Sequence, residues 1–549
     1  MRAVAFAVVL LAAGHALADP VAGDPPEILL GNRLFDETRF AQFFAAHANG
    51  DVNAPLAAGD PAMDLTVTTE APLPGPFAGQ SMNCRACHLD VEQKVRAGGG
   101  GRAYADFARR SPIPDRGDGL ATTVRNSQQL LDANLRRPGP FFLHFDGEFP
   151  TAADLVKATL TGRNFGWLPG EQALAIAHIA RVIREDDGRG ALAVRFGGAT
   201  YAGALRGTDP LFPTNLPVPP NMALDVTHAT DAQVLDAIGA FIGAYMQSLV
   251  AARDAQGAFN GSPYDVFLQK NDLPRAPRAR ESDAAYGRRL ARLVDRLRTP
   301  RFVDEADGHF QLHAQPFVFG ADELTGLRLF LRRARRGAKP GTGNCVSCHV
   351  PPVFTDFAFH NTGAAQEEYD AIHGAGAFQA LAIPDLAARM ADPDAYLPAS
   401  AIHPQALGPF RAVPSPDHPG QTDLGLWNTF QNPDFADPVA AKARALMVCR
   451  ALDTRVCAAR RRHPAAMLEA AVALFKTPSL RDLGHTAPYL HTGRKDTLED
   501  VVRFYEDMGD LARRRQVRNA APALAGVALG DDDVQPLAAF LRALNEDFE

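Results

Sequence analysis

Beyond its first residues the chain has no apolar run long enough to cross a membrane, and the N-terminal run is itself too short. It has no excess of positive charge either: 56 Lys and Arg against 63 Asp and Glu leave a net charge of -7, which argues against a nucleic-acid partner. Regular alternation of polar and apolar residues is scarce, so the expected fold class is mainly α. Cysteine is scarce too, with six in 549 residues, and no histidine at all lies between His88 and His144.

Four of those cysteines are spaced in a way that composition does not explain. Cys84, Cys87 and His88 lie in SMNCRACHLD, and Cys345, Cys348 and His349 in GNCVSCHVPPVFTDFAFHNTG. Chance would place roughly 0.002 C-x-x-C-H matches in a chain of this composition, and there are two. The spacing is the one that attaches haem covalently, each cysteine forming a thioether and the adjacent histidine lying under the iron as its proximal ligand. Zinc would ask for four ligands from two such pairs, and a redox dithiol has no use for the histidine that follows. Two covalent c-type haems are therefore expected.

The N-terminus reads as an export signal over residues 1–18. Arg2 is its charged start, Val4 to Ala13 its apolar run and Ala16-Leu17-Ala18 a small-residue cleavage site. A soluble periplasmic protein follows as the expectation. In that compartment the remaining pair, Cys449 and Cys457, can form a disulfide, the alternative being two separate thiols.

The length suggests more than one domain. A helix with apolar positions Leu174, Ile176, Ile179, Val182 and Ile183 ends at Gly188, with His178 on it as a structural histidine. Another begins at Thr230, where Gln233 completes a capping box, and links two halves of the chain. Ala321 to Arg335 is an amphipathic helix leading to the second cysteine motif.

With GNRLFDETRF, RNS at Arg125, SPYDVFLQKN, the second cysteine motif, KTPSLRDLGHTAPYLHTG and AAFLRAL taken together, the chain resembles the bacterial di-haem cytochrome c peroxidase family, including its MauG-like branch. The likeness touches both ends and the middle but not residues 364–464, nor much of 184–221. It implies two cytochrome c-like haem domains with loop-rich insertions and a calcium ion between them. The expected division is 19–255, a peroxidatic domain, and 256–549, an electron-transfer domain with an insertion around 364–464.

By position the resemblance makes His88 and His349 the proximal ligands and assigns calcium to Asn126 and the carbonyls of Thr486 and Pro488, a set of oxygens suited to a hard cation. The plainer alternative for Asn126 is a loop residue satisfying its own backbone. The sixth ligand of the second haem falls on Tyr505, with Met508 three residues further as the alternative. Methionine would raise the haem's potential, and a tyrosine oxygen would lower it.

Three features depart from the family pattern. The histidine that blocks the resting first iron is absent, the tryptophan of a WDGR-type motif is Phe145 in FDGE, and the downstream glutamate position is Phe165. Glu171 or His144 are the candidates for acid–base work at the first haem, and His144 is alternatively a cap on its iron. Trp167 and Phe145 are either electron-relay aromatics or packing. The activity implied is reduction of hydrogen peroxide, with a small redox protein (a cytochrome c or a cupredoxin) as donor or a partner protein as the substrate oxidised. The alternatives are a non-catalytic electron-transfer cytochrome and an oxygen-dependent haem dioxygenase.

Overall fold

The computed structural model describes residues 23–67, 72–74, 79–88, 110–133, 135, 141–311, 313, 315–334, 337–435, 437–452, 454–460 and 463–547. The export signal at 1–18 and the glycine run at 98–101 lie outside the described residues.

Helices dominate, and each half of the chain is centred on a helix crossing that a glycine permits. In the first half α1 (Pro26–Phe35) lies against α4 (Asp231–Ser248), and a Cβ on Gly31 would run into the Phe241 carbonyl. Helices α2 (Ala152–Leu160) and α3 (Gln172–Glu185) pack on the same α4. The buried face of α3 is Ala175, Ile179, Val182 and Ile183, whereas Leu174, expected on that face, is 65% exposed at the open end of the helix. His178 donates through Nε2–H to the Arg39 carbonyl at 2.7 Å, a structural contact. Helix α4 opens with the expected capping box: the Thr230 amide donates to Gln233 Oε1 at 2.8 Å and the Gln233 amide to Thr230 Oγ1 at 3.3 Å.

In the second half α7 (Ala321–Leu331) crosses α10 (Asp531–Arg542) at Gly326, where a Cβ would meet the Pro536 carbonyl. Helices α5 (Pro263–Lys270), α6 (Asp283–Arg296) and α9 (Leu498–Arg513) complete this part. The two hydrophobic clusters are separate: one runs from Leu29 to Leu249, the other from Tyr264 to Leu544. Between them the chain is tied to the C-terminal end, where Glu546 Oε1 accepts from the Ala252 amide at 2.9 Å beside Arg481. Arg481 grips Asp265 in a bidentate pair at 2.9 and 3.0 Å. Burial pushes the Glu546 carboxyl up to about 8, against the pull of Arg481.

Most of residues 365–474 build a third cluster around Trp427, Val448 and Phe378, joined by Phe142 from the first half. Helix α8 (Pro438–Ala451) belongs to it, and the Cys449–Cys457 disulfide joins it to the short helix that follows. Strands are few: Leu65–Val67 pairs with Pro72–Pro74, and Phe359–His360 with Phe475–Lys476, placing His360 opposite Phe475. Among the described residues no helix is long and apolar enough to cross a membrane.

Candidate functional site

Both cysteine motifs fold into the same short turn. Cys84–Ala86 and Cys345–Ser347 are single 3-10 turns, and in each the histidine amide reaches back to the first cysteine's carbonyl, at 3.0 Å for His88 and 2.8 Å for His349. This puts both sulfurs and the imidazole of a motif on one side of a tight loop. Each imidazole is then oriented through Nδ1 by a backbone carbonyl: Gln128 at 2.9 Å for His88 and Phe354 at 3.0 Å for His349. Nε2 is the nitrogen left to take a metal, the arrangement in which a ligating histidine is held. Burial pushes His88 down to about 4, and it lowers His349 too, so both rings are neutral, as ligands must be. Burial also pushes the thiols up, Cys345 to about 12 and Cys87 to about 11. Such places suit an uncharged thioether better than a thiolate. Among the described residues the disulfide leaves these four cysteines out. The residues present thus fit two covalently held haems.

A cavity of about 280 Å³ lies over the second motif and extends between the halves. Cys345, Cys348, His349 and Tyr505 line it from the second half, and Asn126 and Phe145 from the first. Helix α9 presents Tyr505 to this space. Met508, one turn on, does not line it: its Sδ packs on Gly363, and its neighbours are Ala364, Phe504 and Val517. Burial and the nearby Cys348 raise the Tyr505 phenol above its ordinary value. His360 stands beside the motif, its Nε2 2.8 Å from Asp356 Oδ2, in a group with Cys348.

Asn126 and the Thr486–Pro488 turn also meet at this cavity. The Asn126 amide nitrogen of the backbone donates to the His491 carbonyl at 2.8 Å, and its side-chain amide faces the Pro488 carbonyl oxygen within hydrogen-bond reach. Turning that amide over would set two oxygens against each other, a pair that a hard cation would join.

His144 and Glu171 are placed very differently. The segment carrying His144 packs through Leu143 and Phe149 on the cluster that holds Ala86 and Cys87, and His144 lies near enough to add to the lowering of His88. His144 Nδ1 is 3.1 Å from Glu148 Oε2. Glu171 is not brought to the cavity: both of its oxygens take Arg116 at 2.8 Å, and one also accepts the Leu168 amide at 2.9 Å. The hydrogen bonds from Arg116 lower its carboxyl. Trp167 is likewise elsewhere, buried in the first cluster with its Nε1 donating to the Phe40 carbonyl at 3.1 Å, so packing is its role. Phe145 does face the cavity, with its ring centre 6.0 Å from that of His491, which stacks on Phe475 at 3.6 Å.

Sequence reasoning passed over His360, His491 and the ion pairs of Arg125, Arg411 and Asp423. His360 and His491 sit inside quoted motifs, where their polar side chains in apolar surroundings were the available signal. Arg411 and Asp423 fall in the stretch without family likeness, and nothing local marks them.

No family model matches the chain. It is 42% identical over 76 residues to the cytochrome-c peroxidase IdrP2 of Pseudomonas sp. (strain SCT), covering 14% of this chain and 18% of that protein. The chain thus spans less than a fifth of the length of this curated relative. Among solved structures, the diheme peroxidase BthA from Burkholderia thailandensis E264 aligns with 95% of this chain and 86% of its own at 19% identity and a TM-score of 0.43. A MauG-like protein associated with microbial copper homeostasis aligns with 99% of this chain and 96% of its own at 16% identity and a TM-score of 0.43. The chain resembles the di-haem cytochrome-c peroxidases, with the sequence likeness to the curated relative confined to that short segment.

Proposed function

We propose that the chain is an exported, periplasmic di-haem oxidoreductase that uses hydrogen peroxide. The observation that carries this reading is the pair of like-built turns, each with two sulfurs and an imidazole whose Nδ1 is tied to a backbone carbonyl. Haem bound there would supply iron and electrons, so that hydrogen peroxide, two electrons and two protons give two waters. His88, with Cys84 and Cys87, would hold the first haem, which would supply the iron that takes peroxide. His349 and Tyr505 would hold the second from both sides, Tyr505 being preferred to Met508 because it faces the cavity. His144 is preferred to Glu171 for moving the proton between the peroxide oxygens, because Arg116 already engages both Glu171 oxygens. Asn126 with the carbonyls of Thr486 and Pro488 would hold calcium where the halves meet. The domain division is 19–255 and 256–549. Electrons come from a small redox protein, or a partner protein is itself oxidised.

The test is stopped-flow addition of peroxide to the as-isolated diferric protein. A prompt change in the haem spectrum is expected. An unchanged spectrum, with no cyanide binding to either haem, would leave a non-catalytic electron-transfer cytochrome.

A further inference from the structure

Where the family pattern ends its turn motif in a basic residue, this chain has Glu148, and the positive charges come from residues 364–464 instead. Asp146 is buried and Glu148 half-buried beside Arg125 and two arginines of that insertion. Arg411 pairs with Glu148 through both its terminal nitrogens, one at 3.2 Å, and lies 3.3 Å from Asp146. Arg444 donates to the carbonyls of Gly147 at 3.1 Å and Glu148 at 2.8 Å. Thr429 Oγ1 donates to the Asp146 carbonyl at 2.7 Å. The remaining carboxylate, Asp423, is matched by Arg125 at 2.8 Å. Two arginines, Arg125 and Arg411, thus meet three carboxylates while Arg444 holds the backbone of the turn, and Arg411, Asp423 and Arg444 belong to the insertion. Without the insertion Asp146 would keep Arg125 alone and Glu148 would lose its arginine partner.

What these contacts hold is the backbone turn at His144, whose φ of 62° is uncommon for a residue with a side chain and persists only where its surroundings impose it. Glu148 is desolvated, yet Arg411 and the hydrogen bond from His144 hold its carboxyl well below the usual range. A carboxylate only accepts, so His144 Nδ1 donates to Glu148, and Nε2 is the nitrogen left for another partner.

We propose that Arg411 is a positioning residue for the first haem: it fixes Glu148, Glu148 fixes the His144 Nδ1–H, and His144 Nε2 is thereby presented to a ligand on that iron. The inference rests on the reading of His88 as the first iron's lower ligand. In the peroxide reaction His144 Nε2 would take a proton from one peroxide oxygen and return it to the other, which leaves as water when the O–O bond breaks; haem, when bound, would supply the two electrons.

Fluoride binding to the two-haem ferric protein tests this without turnover, because bound fluoride takes up a proton that His144 Nε2 would hold. Arg411→Met and Glu148→Gln are expected to weaken fluoride about ten-fold, as loss of one charge-assisted hydrogen bond would. Arg411→Lys should restore most of it. In a His144→Leu background the Arg411→Met change should do nothing further. Equal affinity in wild type, Arg411→Met and Glu148→Gln would overturn the inference, as would an Arg411→Met effect that survives in His144→Leu. Glu148→Gln keeps the side-chain shape should Arg411→Met fail to fold. A wild type that shows this coupling but ignores peroxide sinks only the peroxide reading. A wild type that reacts with peroxide while the Arg411 variants bind fluoride normally sinks only this inference.

Discussion

The turn at Cys84–His88 and the turn at Cys345–His349 are alike in backbone and differ in what surrounds them. In both, a histidine amide closes on the first cysteine's carbonyl and Nδ1 finds a backbone oxygen. Around the second, α9 brings a phenol to the cavity and His360 pairs with Asp356 beside Cys348. Around the first, His144 lies near enough to act on His88, on a turn clamped by a distant segment. Identical local turns are thus set in two different surroundings. The difference is made by residues dozens to hundreds of positions away.

The largest effect that would break this comparison is on the second haem. Tyr505→Phe is expected to abolish its low-spin absorption and electron-paramagnetic signature, and Met508→Leu to leave both intact; the opposite pattern would remove the distinction. Next, His144→Leu should slow the peroxide-induced spectral change about 100-fold, the usual scale for a lost acid–base group, while leaving the second haem's spectrum unaltered. A stopped-flow rate equal to wild type would make the first site as featureless as its sequence.

A smaller effect concerns the joint between the halves. Glu546 has a folded value of about 8 against an ordinary 4.5, raised by burial. The folded state therefore binds its proton more tightly: the associated stability is fully present below 4.5 and is lost as pH rises through 8. Glu546→Gln should flatten that loss, gaining on the order of 5 kcal/mol over wild type by pH 8 in chemical denaturation and nothing at pH 4. The smallest effect is expected at Asn126. Calcium added after chelation should raise the thermal midpoint of the wild type, and Asn126→Ala should lose about 1 kcal/mol of that gain, the scale of one polar contact. An equal response from both proteins would return Asn126 to an ordinary loop residue.

Much of the helix content was legible because capping and periodicity act within a few residues: Thr230 with Gln233 read correctly, and the run from Ala321 read correctly at its start but ends at Leu331 rather than Arg335. Leu174 did not, because a periodic pattern cannot say where along a helix the neighbour ends. Glu171 read as a plausible acid–base group only because its partner Arg116 is 55 positions away. The choice between Tyr505 and Met508 was equally open from spacing, since both lie on one stretch of helix.

What the sequence determined by itself is the chemistry at each end of a short covalent reach. The two C-x-x-C-H motifs, which fold into like turns, and the Cys449–Cys457 pair, which forms a disulfide, were readable without a fold. The tertiary structure decided which side chains complete those sites. That Tyr505 turns to the cavity, that Glu171 turns away from it, and that Arg411 reaches Glu148 across 263 positions depend on how helices and the insertion pack. Burial and opposite charge act through space, and no local pattern in the chain records them.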